Sequence, residues 1–167
     1  MDDKPSKQCI LVDMDVKIIN PFLSATINLL EHTFGLTATN GTPFLLEDLV
    51  RHRWEVTGLI AITGSTRGVI ALRMHHLLVD KLLAKSGLEV ADEKERVELT
   101  TSMVSELINI ISGNAIGNIE GYDLDISVPM VVQGKGHLIS WPQIAPVVCI
   151  PFRTSAGDFE VSVCFKT

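Results

Sequence analysis

Residues 92–116 read DEKERVELTTSMVSELINIISGNAI, and the reading of this stretch decides the fold. Placed at about 100° per residue, Val97, Met103, Val104, Leu107, Ile108, Ile110, Ile111 and Ala115 share one broad arc. Ser102, Glu106, Asn109 and Gly113 form a narrow stripe on the opposite side, bordered by Leu99 and Ile116. The pattern predicts one long helix that buries an apolar face and shows a stripe of small and polar residues. Asp92, Glu93 and Glu95 place negative charge in its first turn, where the helix dipole favours it.

On the N-terminal side, residues 75–86 predict a shorter helix that stops at Gly87. Asn20-Pro21 is expected to open an earlier one, since Asn caps well and Pro is tolerated at the first helical position. Phe22, Leu23, Ile27, Leu30 and Phe34 recur along it, and Gly35 can end it. Between these helices, Leu45-Leu46, residues 54–63 and residues 68–74 read as strands. The turn Gly64-Ser65-Thr66-Arg67-Gly68 joins the last two. Beyond Gly121 the strand signal returns at 124–132, 136–139, 147–152 and 159–165, with turns at Gly134, Gly136 and Ala156-Gly157-Asp158. Strands in two blocks around helices, rather than alternating with them, argue for α+β with a mainly antiparallel sheet. Residues 1–13 are read as a leader, flexible or an added strand, and residues 14–167 as a single domain.

Composition sets bounds. The chain has 167 residues, 46% of them hydrophobic and 20% charged, which suits one globular domain with its own core. The net charge is −6 and the densest basic cluster is Arg51-His52-Arg53, too little for a nucleic-acid interface. No apolar run approaches the roughly 20 residues of a membrane helix, and residues 1–8 do not resemble a signal peptide. Three cysteines, Cys9, Cys149 and Cys164, suggest a reducing compartment, with the cytoplasm as the expected location. Cys149 and Cys164 lie in strand-like runs and are expected to be buried thiols. The histidines, His75-His76 among them, show no ligand spacing, so no metal site is expected.

Glu106 and Asn109 are three residues apart and point the same way. A carboxylate can pair with a lysine or accept a proton. An amide is a poor base, but it offers a donor and an acceptor together. It can therefore orient a water for in-line attack on phosphorus. Small residues at 102 and 113 leave room for another molecule's surface. The same pattern also fits an ordinary solvated helix face.

The string Ser102-x-x-x-Glu106-x-x-Asn109 resembles the signature of the CheC/CheX/FliY phosphatases, in which Asp or Ser, then Glu, then Asn stand at these spacings. Glu106-Leu-Ile-Asn109-Ile-Ile-Ser-Gly113-Asn114-Ala115 is similar to the CheX form, and Asn20-Pro21-Phe22 followed by Ala25-Thr26 resembles the start of CheX. The family carries a Pro some way after the helix, for which Pro129 is the candidate. The resemblance spans roughly residues 14–165. It implies a CheC/CheX-like fold with two degenerate half-repeats. Ser24-Ala-Thr-Ile27-Asn28 lines up with Ser105-Glu-Leu-Ile108-Asn109, with Ala25 where Glu106 stands. One active centre per chain follows.

The resemblance further implies a phosphatase acting on the aspartyl phosphate of a CheY-type receiver domain. Glu106 would dock the partner's lysine and Asn109 would align the water. Ser102, Ser105, Gly113 and Pro129 would contact the partner. The chain would need no cofactor of its own, because Mg²⁺ would sit on the receiver, and a homodimer through sheet edges is expected. The alternative is a non-catalytic module that binds a receiver, or part of a flagellar switch or scaffold. A third reading is a structural domain with no tie to phosphate.

Overall fold

The computed structural model describes residues 16–46 and 53–167. The 1–13 leader and most of the Arg51-His52-Arg53 cluster therefore lie outside the described residues. Three helices are described: α1 (Val16–Phe34), α2 (His76–Lys85) and α3 (Glu93–Ile116). The strands are β1 (Thr39–Asn40), β2 (Phe44–Leu45), β3 (Val56–Gly64), β4 (Gly68–Met74), β5 (Leu124–Ile126), β6 (Met130–Gln133), β7 (Val147–Thr154) and β8 (Gly157–Phe165). They form one eight-stranded antiparallel sheet in the order β1-β7-β8-β4-β3-β5, with β2 also on β7 and β6 also on β3. The α+β reading holds.

Strand alternation sorts the sheet into two faces. Ile60, Ile70, Leu72, Ile150, Val161 and Val163 point to the face that carries all three helices, and with them they make the main core. The opposite face holds Thr57, Arg73, Glu160, Ser162 and the buried thiols of Cys149 and Cys164. Leu46, Trp141, Ile144 and Ala145 pack against those thiols. Burial, with Glu160 nearby, pushes the Cys149 thiol up to about 12. Arg73 lies 3.8 Å from Glu160 and beneath the Trp141 ring. Residues 134–146 thus form an irregular strap across the second face.

Three elements depart from expectation. Helix α1 is described from Val16, so Asn20-Pro21 does not open it and Pro21 lies inside. Proline has no N–H to offer the Lys17 carbonyl. That loss falls on an exposed turn, while Phe22, Thr26, Leu29 and Leu30 stay buried beyond it. The expected strand at 124–132 is two, β5 and β6, interrupted at Ser127-Val128-Pro129. The expected strand at 136–139 does not form. Gly134 and Gly136 both adopt positive φ, and His137 folds back: Nδ1 donates to the Gly134 carbonyl (2.6 Å) and Nε2 accepts from the Thr57 hydroxyl (2.7 Å). A chain turned this way cannot extend into a ladder.

Candidate functional site

Helix α3 is fixed along its length by four devices. Asp92 caps it, its carboxylate accepting from the Glu95 N–H at 2.8 Å. Arg96 makes a two-pronged pair with Asp80 of α2, at 3.0 and 2.7 Å. Gln133 of β6 donates from Nε2 to the Val97 carbonyl (2.9 Å) and to Thr101 Oγ1 (2.8 Å). In the middle, Gly58 of β3 lets the helix lie close. A Cβ there would stand 2.8 Å from Val104 Cγ1 and 3.4 Å from Ile108 Cγ2.

The buried side of α3 comprises Thr100, Val104, Leu107, Ile108, Ile111, Ser112 and Ala115. Met103 and Ile110, expected on that side, are half-buried, and Val97 is 44% exposed. The expected arc holds at Val104, Leu107, Ile108, Ile111 and Ala115, with Met103 and Ile110 at its border and Thr100 and Ser112 buried in addition. The first two turns overhang the core and are held by Arg96 and Gln133 instead.

Ser102, Glu106, Asn109 and Gly113 are all exposed, and Ser105 is half-buried beside them. Among the described residues, the side chains of Glu106 and Asn109 make no hydrogen bond or ion pair, so both are available to another molecule. Pro129 is half-buried on the neighbouring sheet edge. Two anchors set how that edge runs. Gln133 meets Val97 and Thr101, and Ile126 Cδ1 lies 3.9 Å from a Cβ built on Gly113. Between the anchors lie about 21 Å of helix and about 23 Å of strand. The edge therefore runs antiparallel alongside the stripe. The structure brings Ser102, Ser105, Glu106, Asn109, Gly113 and Pro129 to one side of the molecule. Gln133, not singled out from the sequence, acts as a clamp. A lone Gln before a Gly carries no signal of its partner.

A separate concavity of about 710 Å³ lies between α1 and the end of α3, lined by Asn20, Ser24, Asn28, Asn114 and Asn118 among others. Glu106 and Asn109 do not line it. Asn28 is exposed as Asn109 is, but Ala25, in the place of Glu106, is buried at 6% exposure. The first half thus lacks the carboxylate, and Ala25 stands instead at the wall of the concavity.

Among the described residues no group of three or more His, Cys, Asp or Glu side chains could hold a metal ion. His75 and His76 sit at the junction of β4 and α2. The Glu55 carboxylate accepts the His76 N–H at 2.9 Å, and that bond is the largest cause of its lowered pKa. No described helix is long and apolar enough to cross a membrane.

The antiparallel sheet with three helices on one face is the fold of the CheC/CheX class of α+β proteins. The profile of the family described as chemotaxis phosphatase CheX matches residues 56–153, from β3 into β7 and including the whole stripe. The chain belongs to that family. A CheC-like superfamily protein from Shewanella sp. PV-4 is 29% identical, with TM-score 0.80 over 92% of this chain and 100% of that one. A chemotaxis protein CheX from Desulfovibrio desulfuricans is also 29% identical, with TM-score 0.80 over 90% and 100%. At 23% identity, the CheX–CheY–BeF3–Mg²⁺ complex from Borrelia burgdorferi has the same fold, with TM-score 0.77 over 92% and 100%. No curated protein matches the chain.

Proposed function

We propose that this chain hydrolyses the aspartyl phosphate of a CheY-type receiver domain, with Asn109 orienting the attacking water and Glu106 docking a lysine of the partner. The carrying observation is that both side chains stand exposed on one stripe of α3, unengaged by the described residues. The family description supports a phosphatase. The Borrelia relative, captured with CheY, beryllofluoride and Mg²⁺, supports a receiver carrying a phosphoryl mimic as the partner.

An acyl phosphate needs little covalent help. Positioning and charge stabilisation supply most of the acceleration. The Mg²⁺ bound to the receiver neutralises charge on the phosphoryl oxygens. The Asn109 carboxamide accepts from the water and holds it on the line of attack. Ser102, Ser105, Gly113 and Pro129 border the approach, and the small side chains at 102 and 113 let the receiver come close.

The test uses phosphorylated receiver in excess over the protein. Multiple turnovers per chain are expected. Asn109→Ala should lower kcat about 100-fold or more, by analogy with loss of one positioned donor, with receiver affinity largely kept. Glu106→Ala should raise KM about tenfold, as expected on losing one charged partner at a docked surface. Stoichiometric binding without turnover, or an Asn109→Ala variant as fast as wild type, would refute the mechanism and leave a binding module.

The reading extends to a homodimer through a sheet edge. β1 and β2 are two residues long and end the sheet beyond β7, with Phe44 39% exposed. The opposite edge carries Pro129 and an interrupted ladder, and pairing is proposed at the β1–β2 side, where Phe44 offers an apolar contact.

A further inference from the structure

The interruption between β5 and β6 follows from a mismatch in register. Ile62 opposes Ile126 and Leu59 opposes Met130. Two residues of β3 thus face three on the other chain segment, Ser127, Val128 and Pro129. One residue is in excess, which is the definition of a bulge. Ser127 pins it: its N–H donates to the Ala61 carbonyl at 2.9 Å, and its hydroxyl accepts from the Ala61 N–H at 2.9 Å. Val128 is left as the projecting residue, 88% exposed, the highest value among the large exposed hydrophobic residues described.

Its place along α3 follows from the two anchors. Measured along the antiparallel edge from Ile126–Gly113 toward Gln133–Thr101, residues 127–130 lie level with Asn109 and Glu106. On the helical wheel, Thr101, Ser105 and Asn109 occupy the side toward that edge. A bulge beside a reactive side chain commonly serves to re-aim a residue. Here an apolar side chain is turned into solvent from an edge segment level with Asn109.

We infer that Val128 is a docking contact, one that sets affinity for the receiver while Asn109 acts on its phosphoryl group. The occupant is the same receiver domain, so the inference rests on the proposed function. Continuity favours this occupant: a folded domain delivering phosphoryl to Asn109 must cover the adjoining bulge. The patch it offers to Val128 is apolar, since a charged one would be desolvated without a partner. Val128 takes no part in the chemistry, so its loss should appear in binding and not in the turnover of bound receiver.

The experiment compares wild type, Val128→Asp, Val128→Ala and Asn109→Ala. Readouts are Kd for beryllofluoride-loaded receiver, KM and kcat for the phosphorylated receiver, melting temperature, and mass by light scattering. Val128→Asp is expected to raise Kd and KM about tenfold and Val128→Ala about threefold, the scale of covering one aliphatic side chain. kcat and melting temperature should be unchanged. An unchanged Kd in Val128→Asp, with wild type active and Asn109→Ala inactive, would overturn this inference and leave the mechanism standing. Loss of a dimer with receiver affinity intact would assign Val128 to self-association and also overturn it. Wild type that neither binds nor turns over any receiver tested would remove both.

Discussion

In the alignment of residues 24–28 with 105–109, Ala25 falls where Glu106 stands, and the two positions differ in their surroundings. Glu106 is exposed; Ala25 is 6% exposed and packed in the core. A carboxylate introduced at position 25 would start from a buried Cβ at the wall of the concavity that Lys17 also lines. Ala25→Glu should therefore cost no more than about 1 kcal/mol and add no turnover. Thermal unfolding together with phosphoryl release checks both, and a stable variant of raised kcat would contradict it. At this scale the sequence was informative where chemistry and periodicity agree. Glu106 and Asn109 are one turn apart on the polar side, and both are exposed. Thr100 and Ser112 are fully buried although polar, because their small side chains lie on the apolar side of the wheel. Val97 is exposed because the core ends one turn below it. Periodicity tells direction around the helix axis but not where along it the core stops.

Elements were read best where both ends carry a signal. Asp92 and Gly87 bracket the ends of α3 and α2, and Gly68 begins β4 as expected. Reading failed where geometry is set by a distant partner. Pro21 looks like a helix start by local rules, yet the packing of α1 carries the helix through it. Nothing in the stretch 124–132 announces a bulge, since the extra residue is defined only by counting against β3. Gly58 is likewise silent in sequence and matters only because α3 crosses above it. Gly58→Ala places a methyl against Val104 and should cost about 1–3 kcal/mol. Adding Val104→Ala should recover part of that loss, so the double variant should be more stable than the sum of the two singles. Denaturant unfolding of the four proteins measures the coupling, and additive losses would show that the helix is not seated on that glycine.

Among the described residues, the sheet is covered by helices on one side and by the 134–146 strap on the other, which leaves its two ends for strand pairing. A homodimer built on the β1–β2 end should give about twice the 18.3 kDa chain mass in light scattering. Phe44→Asp should convert it to a monomer with kcat kept. A wild-type monomer at micromolar concentration would exclude this arrangement. Fold class was legible at this scale because two blocks of strands flank the long helix. The two faces were not, since nothing in the strand sequences marks polar Thr57, Arg73 and Glu160 as lying buried beneath the strap.

The reactive pair stands on the outside of a rod instead of at the bottom of a cleft. Drug-like compounds usually need an enclosing hollow to gain affinity, so inhibitor screens aimed at Glu106 and Asn109 should yield little. Blocking this surface calls for something as broad as its natural visitor, such as an antibody fragment or a receiver locked in its activated form. By the same reasoning a metabolite has no easy grip here, and under the proposed function control of the reaction would fall to the supply of phosphorylated partner.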